Sequence, residues 1–575
     1  MRWQRFSPAP ASHLRRFSEA APELAGDPVL LQVLYNRGIV DPAEADAFLA
    51  YRNPQSDDPG LLSGMDAAVG RLTQAIRSGE PIAIYGDYDA DGVTGAVLLT
   101  QALRAMGAER VQPYIPHRVE EGYGLNSDAL EQLASKGSHL VVTVDCGIRE
   151  VEQVRHANGL GLEVIVTDHH APGRELPPAL AIVDPRQPGD CYPDRDLAGC
   201  GIALKLVQAL VLSGLPMRGI DETDLLDLVA LGTVADLVPL IGENRSLVYR
   251  GMQVIRQGRR PGLVALLKAA GIRASQINAT TLGFGLGPRI NAAGRMDHAY
   301  HAAKLLITRN PAKADEQACL LNQLNRQRQE KTRRLAVQAE EIALREGREP
   351  HLVFAAHADF PPGLVGLIAS QLQETHYRPA VAVQIRGNRA VGSCRSIPEF
   401  HITEALDQCG DLLEKHGGHA AAAGFTIRAE LLPQLRERLS GIAQEQLAGR
   451  DLTPTLQIDE ELKVRDIIWE VHESLARLEP CGYGNPSPLF LSPAVRVSNC
   501  RPVGTDGAHL KLLLEQDGRT FDAIAFRMGN RAGQLREHMD IVYRLEEHEW
   551  NGESNLQLNI QDMRPAQQPP LPLLV

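Results

Sequence analysis

The stretch IAIYGDYDADGVTG, which runs from Ile82 to Gly95, joins an apolar run to three alternating aspartates. The apolar run has the length and composition of a buried strand, and Asp87, Asp89 and Asp91 follow it directly. Like charges this close repel one another, so we expect a cation among them. Residues two apart on an extended segment point to one face, which predicts that Asp89 and Asp91 approach the same ion.

The same pattern of a strand followed by polar residues recurs downstream. The segments LVVTVDCG, EVIVTDHH and LAIVDP each have the character of a buried strand with a polar end, and helical patterns such as SDALEQLASKG lie between such strands. Alternating strands and helices predict a parallel sheet with helices on both faces. Ligands bind at the carboxyl ends of such strands, where the acidic and histidine residues of this region fall.

Four groups of carboxylates and imidazoles fall at these strand ends or at helix edges. Such ligands suit Mn²⁺ or Mg²⁺, and the many acids with few bases indicate two ions that share a carboxylate. Paired divalent ions are the recurring device for phosphoester hydrolysis. Asp145 taken alone is equally well explained as a helix cap, but packing does not easily explain all four groups together. The groups are Asp87/Asp89/Asp91, Asp145, Asp168-His169-His170 and Asp236.

Composition limits the class of protein. The 575 residues, 44% of them apolar and 23% charged, predict an ordinary globular chain of several domains. The sequence contains no run of about 18 apolar residues and no apolar stretch of signal-peptide type near its start, so we expect no membrane association. Eight scattered cysteines without a CxxC pair favour a reducing cytoplasm. The net charge of −12 weakly disfavours a nucleic-acid partner, but a local basic groove remains compatible with it.

The pattern changes twice beyond this first region. Residues 310–346 predict one long helix, capped by Asn310 and ended at Gly347, whose basic residues could face a polyanion or form a solvated surface. The segments HLVFAA, PAVAVQI and AVGSCRS then indicate a second, smaller α/β domain. From residue 490 onward, strands with turns at Asp517-Gly518 and Asn551-Gly552 predict a small OB-like β-barrel.

The motifs GDYDADG, VDCG, TDHH and GTVADLVPL resemble, in order, the four motifs of the DHH phosphoesterases. GLGPRINAAGRM, AVGSCRS and GGHAAAAGF are similar to further motifs of the RecJ branch of that family, which carries a companion DHHA1 domain. The resemblance therefore implies an α/β chain: a parallel-sheet DHH domain joined by a long helix to a smaller α/β DHHA1 domain, followed by a C-terminal OB-like β-barrel. The implied segments are 1–80, an N-terminal extension packing on the DHH domain; 81–308, the DHH domain; 309–346, the connecting helix; 347–446, the DHHA1 domain; 447–565, the OB-like domain with its linker; and 566–575, a flexible tail.

The resemblance also implies an activity, namely 5′→3′ exonuclease degradation of single-stranded DNA with two Mn²⁺ or Mg²⁺ ions and release of 5′-mononucleotides. It implies that Asp145 bridges the ions and that His170 contacts the scissile phosphate or supports the metal shell. The role of Asp87 and the affinity of the second ion stay open, because Tyr85 stands where many smaller DHH phosphatases have a histidine. The implied metal ligands are Asp89, Asp91, Asp145, His169 and Asp236.

Degradation from the 5′ end requires a group that binds this end of the strand. Arginine side chains are suited to this because a guanidinium can donate two parallel hydrogen bonds to phosphate oxygens. By resemblance, the serine and arginine of GSCRS form the 5′-phosphate pocket, and Arg295 and Asn291 contact the scissile phosphate. Arg118 is a further phosphate contact and Tyr123 a base-stacking side chain, although surface exposure explains both nearly as well. His419 lines the groove, with a tight packing turn as the alternative. The full DNA-binding set is Arg118, Tyr123, Arg289, Asn291, Arg295, Ser393, Arg395, Ser396, Gly418 and His419.

Three rival functions stay open. A DHH-family phosphodiesterase acting on short oligonucleotides or cyclic dinucleotides would not need the barrel. A non-catalytic DNA-binding scaffold would not need every ligand position filled, and an inorganic pyrophosphatase would not need an arginine-lined end pocket. The resemblance further implies a cytoplasmic monomer in DNA repair, recombination and mismatch repair, with a single-strand-binding protein and a helicase as partners.

Overall fold

The computed structural model describes residues 1–52, 58–344, 351–550 and 553–566. Three features predicted from the sequence lie wholly or mostly outside these ranges: the helix end at Gly347, the Asn551-Gly552 turn and the C-terminal tail. Within the described ranges, no helix combines the length and the apolar character needed to cross a membrane.

Strands and helices alternate through most of the chain. The strands are β1 (Arg2–Arg5), β2 (Ile82–Gly86), β3 (Val111–Tyr114), β4 (Leu140–Val144), β5 (Glu163–Thr167), β6 (Ala181–Val183), β7 (Val353–His357), β8 (Ala380–Arg386), β9 (Arg389–Arg395), β10 (Leu413–His419), β11 (Ala422–Arg428), β12 (Thr455–Ile458), β13 (Glu460–Glu461), β14 (Phe490–Val503), β15 (His509–Gln516), β16 (Arg519–Ala525), β17 (His538–Trp550) and β18 (Glu553–Pro565). The helices are α1 (Ala11–Ala20), α2 (Pro22–Ala25), α3 (Pro28–Asn36), α4 (Pro42–Leu49), α5 (Met65–Ser78), α6 (Ala90–Ala105), α7 (Ser127–Ser135), α8 (Val151–Gly159), α9 (Gly199–Leu212), α10 (Leu226–Ala235), α11 (Gly242–Arg256), α12 (Pro261–Ala270), α13 (Gly287–Met296), α14 (Tyr300–Ile307), α15 (Pro311–Leu344), α16 (Val365–His376), α17 (Ile402–Asp407), α18 (Leu432–Leu447) and α19 (Trp469–Ala476).

The chain divides into two compact units. One contains Met1–Pro54, Pro239–Ser246 and Pro454–Val575, and the other contains Gln55–Val238 and Leu247–Thr453. The second unit holds a parallel five-stranded sheet in the order β3-β2-β4-β5-β6. Every residue of β2 and β4 is buried because helices cover both faces, which explains their continuous apolar sequences.

The same unit contains a second sheet, in the order β10-β11-β9-β8-β7, in which only β7 and β8 run parallel. Helix α15, of 34 residues, connects the two sheets and spans about 50 Å at 1.5 Å per residue. The side chain of Asn310 caps it, since its Oδ1 accepts from the amides of Ala312 at 3.0 Å and Lys313 at 3.2 Å. The predicted long helix and the second α/β fold are therefore both present.

The first unit holds a closed barrel made of β14, β15, β16, β18 and β17, with β17 pairing back to β14. Asp517 and Gly518 have φ values of 51° and 77° and join β15 to β16, as the sequence predicts for a tight hairpin. Tyr543 is fully buried in this core, whereas Phe526 is exposed. The predicted fold class, α/β followed by an OB-like barrel, is confirmed.

The N-terminal segment departs from the prediction. Residues 1–80 were expected to pack together on the first α/β domain, but β1 pairs with β12, and Phe17 and Leu31 share a hydrophobic core with Phe490 of the barrel. The prediction is wrong for residues 1–52, because their apolar helix faces complete the barrel's core. Helix α5 does pack against β6 and α9 in the unit that holds the parallel sheet.

Candidate active site

The aspartate motif of the opening stretch forms the start of a helix. Strand β2 ends at Gly86, and Asp89 caps α6 by accepting from the amides of Asp91 at 2.9 Å and Gly92 at 3.1 Å. The expectation that Asp89 and Asp91 lie on an extended segment is therefore wrong. Gly92 is required here, because a Cβ at this position would lie 2.5 Å from the amide nitrogen of Asp87.

Asp91 is fixed by a second helix start. Its Oδ2 accepts from the amide of Gly199 at 2.6 Å and its Oδ1 from that of Cys200 at 2.9 Å, at the N-terminus of α9. A side chain at position 199 would place a Cβ 2.7 Å from the Cβ of Asp145 and 3.1 Å from Asp91 Oδ2. Sequence reasoning missed Gly199, although the glycines of LAGCGIA at the start of a helical pattern were a usable signal.

Asp145 follows β4 in a left-handed conformation, with φ of 65°. Its amide donates to the carbonyl of Thr167 at 3.1 Å, which ties the end of β4 to the end of β5. A non-glycine residue with positive φ is uncommon, and such strain is concentrated at functional sites. The backbone here holds the Asp145 carboxylate toward the neighbouring strand ends.

Asp168 organises the two histidines that follow it. Its Oδ1 accepts from the amides of His169 at 2.8 Å and His170 at 3.1 Å and contacts His170 Nδ1 at 2.8 Å, while Oδ2 accepts from the amide of Ile148 at 2.9 Å. Burial opposes ionisation of Asp168, but the hydrogen bond with His170 holds its pKa below the ordinary value. Asp168 was absent from the predicted ligands, and its role in the structure is to orient His169 and His170.

The separate segments converge on His169. Its Nε2 lies 3.0 Å from Asp145 Oδ1, 3.5 Å from Asp236 Oδ2 and 4.0 Å from Asp91 Oδ2. Asp236 reaches this point from the C-terminal end of α10. Three groups of potential ligand atoms, each within 4.8 Å, overlap here: Asp87/Asp89/Asp145, Asp91/His169/Asp236 and Asp145/His169/His170. The structure thus brings together every residue that the sequence predicts as a metal ligand.

The buried carboxylates of the cluster have raised pKa values, so ionising them together requires a nearby positive charge. Burial, followed by repulsion from Asp89, raises the pKa of Asp91 to about 6. Burial and neighbouring carboxylates also raise the pKa values of Asp87, Asp145 and Asp236 well above the ordinary range. Burial lowers the pKa of His169 to about 3, so its imidazole is neutral, which is the form that binds metals.

The donor set fits divalent cations. Asp87 Oδ1 is buried and lacks a hydrogen-bond partner among the described residues, which leaves a carboxylate oxygen free for an ion. Carboxylates with a neutral imidazole are suitable ligands for Mn²⁺ and Mg²⁺. Tyr85 takes no part, since its hydroxyl donates to the carbonyl of Gly124 at 3.2 Å.

The predicted DNA-binding residues divide into three sets. Asn291 Oδ1 accepts from the amide of Ala90 at 2.8 Å. Asn291 therefore stabilises the metal loop, the segment 87–91 that carries the first three aspartates. Tyr123 contacts His170 Nδ1 and the carbonyl of Asp145, both at 3.2 Å. Ser396 donates to the carbonyl of Phe400 at 2.6 Å. These three side chains have partners in the structure that explain their positions.

The arginines form the second set. The Arg118 guanidinium stacks 3.7 Å from the ring centre of Tyr88, and Arg395 donates to Ser393 Oγ at 3.1 Å. Arg295 donates to the carbonyl of Gly363 at 3.0 Å. Burial and the charges of Arg118, Arg328 and Arg395 lower the pKa of Arg295 to about 9. Arginines gathered at this density suit a polyanion.

Arg289, Gly418 and His419 form the third set. Arg289 donates to Asn322 Oδ1 at 3.0 Å on α15. Gly418 lies in β10, where a Cβ would approach the carbonyl oxygen of Ala422 to 2.3 Å, so the close pairing of the hairpin requires a glycine. His419 is exposed, and partial desolvation followed by repulsion from His170 lowers its pKa.

Comparison with known protein families gives three matches in the order of the chain. These are the N-terminal domain of the DHH family over residues 81–233, the DHHA1 domain over 349–445 and the RecJ OB domain over 458–562. Together they cover the two sheets and the barrel.

Individual proteins and solved structures agree with these matches. A single-stranded-DNA-specific exonuclease RecJ of Bacillus subtilis is 39% identical over 93% of this chain and 68% of its own length. The Escherichia coli RecJ exonuclease is 36% identical over 96% of this chain and 98% of its length. The crystal structure of Thermus thermophilus RecJ in complex with Mn²⁺ has a TM-score of 0.82 at 32% identity, over 99% of this chain and 80% of that one. A second Thermus structure contains Mg²⁺.

Proposed function

The chain belongs to the RecJ family of single-stranded-DNA-specific exonucleases, and we propose from this that it hydrolyses single-stranded DNA from the 5′ end and releases 5′-mononucleotides. The observation that carries the proposal is the convergence of Asp91, Asp145, His169 and Asp236 from separate segments, together with a set of half-buried arginines. The first group gathers cations and the second gathers phosphates, which is the combination that phosphodiester hydrolysis requires.

Two divalent ions fit the overlapping ligand groups. Asp87, Asp89 and Asp145 would hold one, and Asp91, His169 and Asp236 the other, with Asp145 between them. When bound, Mn²⁺ or Mg²⁺ lowers the pKa of a water and offsets charge on the phosphoryl and leaving oxygens. The relatives crystallised with Mn²⁺ and with Mg²⁺ support this assignment.

The protein's own side chains position the metal-binding loop and orient the ligands within it. Asp89 and Asn291 fix the loop that carries the first aspartates, and the Gly199 and Cys200 amides hold Asp91 in one orientation. Burial would lower the pKa of His170, but its hydrogen bond with Asp168 raises it above the ordinary value. Asp168 orients the His170 ring through Nδ1, and we assign this ring to contact the scissile phosphate.

The choice of strand end depends on the arginine set. Ser393 and Arg395 form a pocket for the 5′-terminal phosphate, while Arg295 lies toward the scissile phosphate. A guanidinium fork binds a phosphate with two parallel hydrogen bonds, which favours a terminal phosphate over a hydroxyl. We assign Arg118, Arg289 and His419 to the strand between these two points.

The test is digestion of one oligonucleotide carrying different labels at its two ends. With Mn²⁺ we expect the 5′ label to appear first as a mononucleotide, the 3′ label to remain on long products, and a blunt duplex to resist. EDTA should stop the reaction. Release of the 3′ label first, or equal digestion of the duplex, would contradict the proposal.

We also propose the setting and the organisation of the protein. It acts as a monomer in the cytoplasm, in repair and recombination, alongside a single-strand-binding protein and a helicase. The free state of all eight cysteines supports the cytoplasm. We propose the same domain boundaries as the sequence predicts: a DHH domain at 81–308, a connecting helix at 309–346, a DHHA1 domain at 347–446 and an OB-like domain with its linker at 447–565. Mass photometry tests the monomer, and co-sedimentation with purified single-strand-binding protein tests the partner.

A further inference from the structure

One face of helix α15 carries polar groups that no described residue satisfies. Arg328 and Thr332 are four residues apart and therefore lie one above the other on the helix. Arg328 Nε and Thr332 Oγ1 are both buried, and neither has a hydrogen-bond partner among residues 1–52, 58–344, 351–550 and 553–566. Leaving such groups unpaired is costly, so a native structure that keeps them calls for an explanation.

The charges around Arg328 are positive. Burial lowers the pKa of Arg328, and Arg289 lowers it further. Arg328 in turn contributes to the lowered pKa of Arg295, together with Arg118 and Arg395. In the part of the chain that the structure describes, no acidic side chain forms an ion pair with Arg328. A half-buried arginine whose Nε lacks a partner, beside other arginines, opposes folding, so its presence indicates an anion that neutralises it in the working protein.

A solvated surface does not explain this arrangement. Arg326, Arg333 and Arg334 of the same helix are exposed and need no ligand, whereas Arg328 is half-buried. The chain as a whole carries a net charge of −12, so a gathering of arginines at this place is not a consequence of composition.

The location connects Arg328 to the metal cluster. Its neighbour Arg295 belongs to α13, the helix whose Asn291 accepts from Ala90 in the metal loop. Arg295 also donates to the carbonyl of Gly363, just before the helix that packs on β9. The side chain of Arg328 is thus near the segment that joins the cation-binding and phosphate-binding residues.

On the basis of the exonuclease function proposed above, we propose that Arg328 and Thr332 bind a backbone or terminal phosphate of the DNA strand, through the guanidinium fork and the hydroxyl. Helix α15 is then one wall of the substrate groove as well as the connection between the two sheets. The ligand is a phosphate of single-stranded DNA, and its place in the strand is decided by the test.

The test is equilibrium binding of fluorescent single-stranded DNA, with a 5′-phosphate or a 5′-hydroxyl, measured by anisotropy in EDTA to prevent cleavage. Arg328→Ala should weaken binding roughly 10- to 100-fold, the range for hydrogen bonds to charged groups. The slope of log K against log salt should become shallower by about 0.7, the value for one lost contact to a single strand. A larger loss on the phosphorylated strand identifies a terminal phosphate, and an equal loss identifies an internal one.

Matched variants separate binding from folding. Arg328→Lys should keep the salt slope but recover only part of the affinity, because the ammonium lacks the fork. Thr332→Val should weaken binding less than Arg328→Ala does, and Arg333→Ala, an exposed arginine of the same helix, should bind like the unaltered protein. The DNA-free Arg328→Ala protein should melt at or above the temperature of the unaltered protein, since a half-buried charge with an unpartnered Nε is removed.

Two results would overturn the inference. One is an Arg328→Ala protein whose DNA affinity and salt slope are unchanged. The other is an Arg328→Ala protein whose weaker binding is accompanied by a lower melting temperature. Failure of the unaltered protein to digest the strand in Mn²⁺ would overturn the proposed function instead, so the two failures are distinguishable.

Discussion

Metal binding by the aspartate cluster should depend steeply on pH, with a magnitude that Asp91 sets. Its pKa of about 6 means that an ion must displace a proton at acidic pH. The factor by which one such proton weakens binding is 1 + 10^(pKa − pH), about 11 at pH 5 and about 1.1 at pH 7. The dissociation constant for Mn²⁺ should therefore fall at least about 10-fold over this range, and further because the pKa values of Asp87, Asp145 and Asp236 are also raised.

The sign of the stability change follows from the same shifts. Because the folded-state pKa of Asp91 lies above the unfolded value, the metal-free native state binds more protons, and its stability falls as pH rises from about 4 to 6. Mn²⁺ should offset this loss, so the rise in melting temperature on adding Mn²⁺ should be larger at pH 8 than at pH 5.

Isothermal titration calorimetry in buffers of different ionisation enthalpy measures both the affinity and the protons released. Asp91→Asn should show weaker binding and a smaller pH dependence. A dissociation constant for Mn²⁺ that stays the same from pH 5 to pH 7, with no proton release at pH 5, would refute this reasoning.

Three substitutions test other parts of the site. Asp145→Ala should keep the circular dichroism spectrum and abolish nuclease activity, because the carboxylate shared by the ligand groups is lost; substantial turnover in Mn²⁺ would argue against bridging. Arg395→Ala should raise KM for 5′-phosphorylated strands roughly 10-fold or more while kcat changes less, whereas an equal effect on 5′-hydroxyl strands would exclude a terminal pocket. Gly199→Ala should impair metal binding, since the new Cβ would lie 3.1 Å from Asp91 Oδ2. Gly201→Ala on the same helix is its matched control, because the nearest side-chain atom is 3.5 Å away; equal behaviour of the two variants would contradict the proposed packing.

The fold was largely predictable because its strongest signals are local. Buried parallel strands such as β2 and β4 are continuous apolar runs, and the Asp517-Gly518 turn follows from the positive φ that both positions require. The association of residues 1–52 with the barrel was not predictable, since amphipathic helices such as α1 do not specify which apolar surface they cover.

The site was predictable in membership but not in geometry. Polar residues at the carboxyl ends of parallel strands must lie along one edge, so Asp145 and His169 were expected to meet. Asp91 was placed on an extended segment, because its side-chain pattern does not reveal that Asp89 caps a helix. Gly199 was missed because its contribution is the absence of a side chain beside carboxylates from distant segments.

The aspartates and histidines of this cluster are expected to hold two divalent ions. The most direct measurement is anomalous diffraction from crystals of the protein soaked in Mn²⁺. We expect two peaks roughly 3.5–4 Å apart, one ligated by Asp91, His169 and Asp236 and the other by Asp87 and Asp89, with Asp145 contacting both. Manganese bound elsewhere, with no peak among these side chains, would contradict this expectation.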